Sequence, residues 1–190
     1  MTFLSGISDW CRGRSPWIRL PLLLFVGYAA GRHLQDSDYC SIVGALDLGI
    51  HELGHFLFMA GGDFLGILGG SLTQCLLPVI GMVNFWRQDD WFAIDLCFGW
   101  LALNLFETAT YAADAQAMEL PLLTPFGGEA VHDWNFLLDQ LGILGHCGQI
   151  AGGLRIAGAL MAAFCLAWGG WMLWQMWRRP GTVAQSGDPH

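Results

Sequence analysis

Lysine is absent from this 190-residue chain, and the eight basic residues, all arginine, face sixteen acidic ones for a formal charge of -8. Neutralising nucleic-acid phosphates takes a basic surface, and the largest basic cluster is the pair Arg178-Arg179, so a nucleic-acid partner is excluded. Charge of either sign is thin. Charged residues make up 13% of the chain and hydrophobic ones 54%, a balance that rules out a water-soluble globule. The six cysteines never fall in a C-x-x-C spacing, which removes a cysteine-based zinc ribbon and predicts no disulfide framework. Several lie in apolar runs, where a thiol behaves as a small hydrophobe. No internal repeat or low-complexity tract is present.

What remains is a membrane composition: 26 Gly, 12 Phe and 10 Trp, the mix expected where helices pack through small residues and aromatic rings sit at lipid-water boundaries. A bilayer crossing needs about 20 apolar residues. Runs approaching that length lie at roughly 17–31 (short), 40–60, 63–86, 91–114 and 150–177. The first follows Arg12, Arg14 and Arg19 in the manner of a secretory leader, and is read here as an anchor helix. Residues 115–149 are more polar, with Pro121, Pro125 and Gly127-Gly128 as turn punctuation. Within them Trp134, Leu137, Leu138 and Leu141 keep the spacing of an amphipathic helix, for which Asp133 is a suitable N-cap.

The predicted fold is therefore an all-α polytopic membrane bundle of four to six transmembrane helices with a short amphipathic or re-entrant helix. A single transmembrane domain covers 1–180, and a disordered tail covers 181–190. Arg12, Arg14, Arg178 and Arg179 all favour a cytoplasmic face, whereas five crossings would put the two ends of the chain on opposite sides. Either one run is not a crossing, or the arginine rule fails here. The suspects are 17–31, for its length, and 63–86, where Gly69-Gly70-Ser71 and Pro78 can bend a re-entrant hairpin. Trp168, Trp171, Trp174 and Trp177 mark an aromatic belt near the end of the last run, and Arg155 near its start can snorkel to headgroups.

The chemistry is carried by His51-Glu52-Leu53-Gly54-His55. On a helix His51 and His55 stand about 40° apart on one face, where two imidazoles can grip a single ion with Glu52 beside them. Three ionisable residues within five positions of an apolar run are costly, at about 2.5 to 3.5 kcal/mol for a charge at mid-bilayer, unless a partner or ion offsets them. Zinc is the expected metal. It lowers the pKa of a bound water to about 7, and Glu52 takes the proton. Asp47, one turn before His51, is placed to accept that histidine's other ring N–H or else to reach solvent.

A third protein ligand is required, and His132, Asp133, Asp114 and Asp139 are the candidates, with His132 the first choice. Asn104, Glu107, Tyr111 and Asp114 share one face of the 91–114 run and are expected to turn toward the bundle interior, for polar interhelical bonding or contact with the site. Ser71, Gln74 and Pro78 either line a water path to the ion or belong to helix packing around Gly69 and Gly70.

The motif within an apolar span resembles the site-2 protease family of intramembrane zinc metalloproteases. That resemblance implies His51 and His55 as ligands, Glu52 as catalytic base, a later aspartate completing the site, and a peptide bond in or near the bilayer as target. The family's Leu-Asp-Gly element after Asn-Pro is missing; the nearest string, Leu138-Asp139-Gln140, lacks the glycine and the proline. The strings Tyr111 to Ala115 and His132 to Asn135 are similar to those of small bacterial membrane proteins that also embed H-E-x-x-H.

The expectation is a zinc metallohydrolase, an intramembrane peptidase of the bacterial inner (cytoplasmic) membrane, with the lipid bilayer and a membrane-protein or peptide substrate as partners. The alternative is a non-catalytic small subunit packed against partner subunits of a larger membrane complex. Histidine ligation of a pigment or haem is a weaker third reading.

Overall fold

The structure is a computed structural model that describes residues 3–120 and 131–178. The turn residues Pro121, Pro125 and Gly127-Gly128, the closing Arg179-Pro180 and the 181–190 tail lie outside the described residues. Apolar runs become helices in chain order: α1 (Phe3–Cys11), α2 (Leu20–Gln35), α3 (Gly44–Phe58), α4 (Asp63–Trp86), α5 (Trp91–Ala113), α6 (Asp133–Gln140) and α7 (Cys147–Arg178). No strand occurs among the described residues. Proline in the first turn opens α2, and the Asp90 carboxylate caps α5 by accepting the Ala93 N–H at 3.1 Å.

Three helical stretches are long and apolar enough to cross a membrane: Asp63–Trp86, Trp91–Ala113 and Leu144–Arg178, the last adding a single 3-10 turn ahead of α7. Helix α4 runs unbroken through Gly69, Gly70 and Pro78, so the hairpin expected there does not form. Those small residues pack the helix against α3 instead of bending it. Two runs fall short: 17–31, whose helix α2 has 16 residues, and 40–60. The helix of the latter, α3, has 15 residues, about 22 Å at ~1.5 Å each.

The broadest helix pair is α5 with α7, and α2 lies across both. Phe106, Leu103, Ala102 and Ala109 of α5 and Met172, Cys165 and Ala162 of α7 form the core, with Val26, Ala29 and Ala30 of α2. The last part of α7 also carries α1, through Ser8 Oγ donating to Gln175 Oε1 at 3.3 Å. Near that end Trp17 meets Trp177, Trp86 meets Trp91, and Arg178 lies over Trp174, while Trp168 and Trp171 of the anticipated belt pack against the core. Toward the opposite end Arg155 does not snorkel outward. Its guanidinium donates to Thr110 Oγ1 at 3.0 Å and to the His33 carbonyl at 3.5 Å, tying α7 to α5 and α2.

From the end of α2 the chain makes an excursion that starts and finishes at this second end of the bundle. Thr110 Oγ1 donates to the Ser37 carbonyl near the α5 C-terminus, Ser41 reaches Glu107, and Asp47 meets Trp100 deeper along α5. The path then returns along α4: His51 lies beside Gln74, His55 beside Gly66, and the corner at Gly62 (φ 87°) turns into α4. The crossing of α3 over α4 is close because it uses glycine on both sides. A Cβ on Gly69 would meet the Gly54 carbonyl oxygen at 2.6 Å.

Candidate metal centre

Helix α3 places His51 and His55 one turn apart on the face turned to α4, with ring centroids 4.8 Å apart and planes at 78°. Each ring is held from behind. His55 Nδ1–H donates to the Gly66 carbonyl at 2.9 Å, and His51 Nδ1–H donates to Gln74 Oε1 at 3.2 Å. The Gln74 amide is itself oriented, because its Nε2 donates to Glu107 Oε2 at 3.1 Å and Asn104 Oδ1 at 3.4 Å, which leaves Oε1 toward the histidine. With both Nδ1 atoms committed in this way, each imidazole presents Nε2 forward, the arrangement ligating histidines adopt.

Both Nε2 atoms face one carboxylate oxygen. Asp133 Oδ2 is 2.8 Å from His51 Nε2 and 3.3 Å from His55 Nε2, and the three donor atoms lie within 4.8 Å of one another. Two ligand atoms about 2.0 to 2.1 Å from one tetrahedral ion stand about 3.3 Å apart, so this spacing fits a shared cation. Three lone-pair atoms converging in a buried place require positive charge between them, as an ion or as protons on the rings. His51, His55 and Asp133 can therefore hold a metal ion. Gly70 makes room for it: a Cβ there would meet His51 Nε2 at 2.5 Å and His55 Cε1 at 2.7 Å.

Asp133 is the first residue of α6, and this helix is fastened at several points. The Asp133 N–H donates to Tyr111 Oη at 3.2 Å, Trp134 Nε1 donates to Ser71 Oγ at 3.2 Å, and Asn135 Nδ2 donates to the Ala115 carbonyl at 2.8 Å. Leu137 and Leu138 are buried beneath it, as the amphipathic spacing anticipates, while Leu141 is exposed. Burial opposes ionisation of Asp133, but hydrogen bonding with His51 and His55 outweighs it and holds the carboxyl below its ordinary range.

The sequence-derived roles of His132 and Asp133 are exchanged. His132 is the N-cap, its Nδ1 accepting the Asn135 N–H at 3.2 Å, and its Nε2 bonds Asp114 Oδ2 at 3.2 Å. With both nitrogens engaged and the ring tilted against Tyr111 at a centroid distance of 4.4 Å, His132 stands outside the group, and the neighbouring carboxylate offers the third donor. Asp114 closes the end of α5: burial works against its ionisation, but the backbone N–H groups of Glu119 and Leu120, with His132, hold its carboxyl low. Asp139 is exposed on the outer side of α6. Asp47 does not accept from His51. Its Oδ1 takes the Trp100 Nε1–H at 2.8 Å, and Gln74 fills the role expected of it.

Glu52 is half-buried beside the pair, close enough to His55 and Tyr111 for its charge to act on both. Among the described residues it takes no hydrogen-bond partner, which leaves the carboxylate available. The α5 stripe does turn inward: Asn104 and Glu107 hold Gln74, Tyr111 holds the Asp133 backbone, and Asp114 holds His132. Ser71 supports Trp134 and Pro78 is buried in α4. What the sequence reading missed is the orienting role of Gln74 and the cradle at Gly70; four residues apart on an apolar helix, they share one face, and that was the available signal.

No protein-family model, curated protein or solved structure matches the chain.

Proposed function

We propose that the chain is a membrane-embedded zinc metallohydrolase that cuts peptide bonds in or near the bilayer. The observation that carries this reading is the convergence of His51 Nε2 and His55 Nε2 on Asp133 Oδ2, with both Nδ1 atoms already committed elsewhere. Two nitrogens and one carboxylate oxygen are the donor set of a catalytic zinc site, which keeps its fourth position for water. When bound there, zinc would polarise the scissile carbonyl and ease loss of a proton from water.

The chain's own residues do the rest. His51, His55 and Asp133 hold the ion, and Gln74 and Gly66 keep the two imidazoles in the ligating tautomer. Glu52 accepts the proton as the water oxygen adds to the carbonyl carbon, then delivers it to the leaving amine as the C–N bond breaks. One water is consumed and Glu52 returns to its starting state. The resemblance to site-2 proteases supports a peptide bond as target, and the likeness of the His132 to Asn135 string to small bacterial membrane proteins supports placement in a bacterial inner membrane.

The test is Glu52→Gln. It should keep the metal and lower cleavage of a membrane-protein substrate by about 10²- to 10⁴-fold, the usual contribution of a general base. Turnover equal to that of the unaltered protein would end the proposal.

A further inference from the structure

The arginines are sorted between the two ends of the bundle. Arg12, Arg14, Arg19, Arg87 and Arg178 gather at the end formed by α1, the start of α2, the α4–α5 turn and the close of α7. Arg14 lies over Trp10, Arg178 over Trp174, and Trp17 meets Trp177, so this end also carries the aromatic belt. Among the described residues the opposite end has only Arg32, which pairs with Asp36 at 3.7 Å, and Arg155, which is bound between helices. Asp36, Asp38, Asp63, Asp114, Glu119 and Asp139 accumulate there.

The connectivity agrees with that sorting. Helices α2, α4, α5 and α7 each run from one end to the other, whereas the 36–62 excursion leaves and rejoins the acidic end through Ser37, Asp47 and Gly62. Four traverses, not five, place Arg12 and Arg178 on the same side. The conflict between arginine positions and an odd number of crossings disappears once α3 is a re-entrant helix.

The metal group belongs to the acidic half. His55 bonds the Gly66 carbonyl in the first turn of α4, and α6, which brings Asp133, rests on Tyr111 and Ala115 at the close of α5. Arginine-rich loops stay on the cytoplasmic face of an inner membrane. We propose that the His51-His55-Asp133 centre opens to the extracytoplasmic side. Its ion is drawn from that compartment, and its substrate, on the hydrolase reading above, is a peptide segment in the outer half of the bilayer or just beyond it.

Sidedness is measured independently of cleavage, so the failure of this inference and of the hydrolase reading are separable. In a Cys40→Ser background, which removes the exposed native thiol, Asp139→Cys and Arg12→Cys are introduced singly at exposed positions of the full chain. Intact cells are treated with a membrane-impermeant maleimide before and after permeabilisation, with denatured protein defining full labelling. Position 139 should label in intact cells and position 12 only after permeabilisation. Labelling of position 12 in intact cells, or failure of position 139 to label before permeabilisation, would overturn the assignment.

Discussion

Gln74 shows how much of a candidate metal site rests on groups outside the donor set. Its carbonyl oxygen takes the His51 Nδ1–H, and its amide nitrogen is committed to Glu107 and Asn104. In Gln74→Leu the acceptor is gone and the imidazole loses its enforced tautomer, so metal affinity should fall about 10- to 100-fold. Competition against a chelator of known affinity reads this directly, and an unaltered dissociation constant would show that His51 needs no such support. Gly70→Ala should do more damage, since the new methyl would lie 2.5 Å from His51 Nε2, and a ring held at both nitrogens has little freedom to yield. Near-complete loss of metal is expected in the folded protein. The two histidines were legible in the sequence because helical periodicity alone puts positions 51 and 55 on one face. The third donor was not. His132 and Asp133 are adjacent, their side chains diverge by about 100° at a helix start, and which becomes cap and which ligand depends on the backbone entering α6.

The helix that matters most to the site is one of the shortest. Helix α6 has eight residues, and its position is fixed by Tyr111, Ser71 and Ala115 rather than by length. Removing the Asn135 side chain (Asn135→Ala) deletes its bond to the Ala115 carbonyl, and should loosen the helix and weaken metal binding while leaving His51, His55 and Asp133 in place. Faster amide hydrogen exchange over 133–140 together with a raised metal dissociation constant would be the combined signature. The acid response follows from the same contacts. Because the folded-state pKa of Asp133 is depressed below its ordinary 3.8, its contribution is fully present above that value and is lost only as pH falls further. Metal release on acidification should therefore follow histidine protonation while Asp133 remains ionised. A pH titration of metal content checks it: retention well below pH 4 would contradict the histidine assignment. The apolar runs 63–86 and 91–114 foretold α4 and α5 to within a residue, since length and hydropathy decide them. The 40–60 run was misleading because hydropathy does not distinguish a helix facing lipid at mid-depth from one that crosses.

Across the whole molecule, the all-helical, membrane-type character followed from composition, and the conflict over crossing number was visible in the arginines of the sequence alone. The proposed answer was not, because it rests on long-range contacts, Ser41 with Glu107 and Asp47 with Trp100, that no local pattern encodes. The bundle holds α3 against α4 through Gly54 and Gly69 and brings α6 to the first half of α4, so that Asp133 meets two histidines far before it in the sequence. That meeting is the central claim. Elemental analysis of the purified full-length protein after zinc loading and removal of loosely bound ions tests it most directly, applied to the unaltered chain, Asp133→Ala and His132→Ala. The account predicts one ion per chain in the unaltered protein and in His132→Ala, and none in Asp133→Ala. Metal retained without Asp133, or lost only with His132, would contradict it.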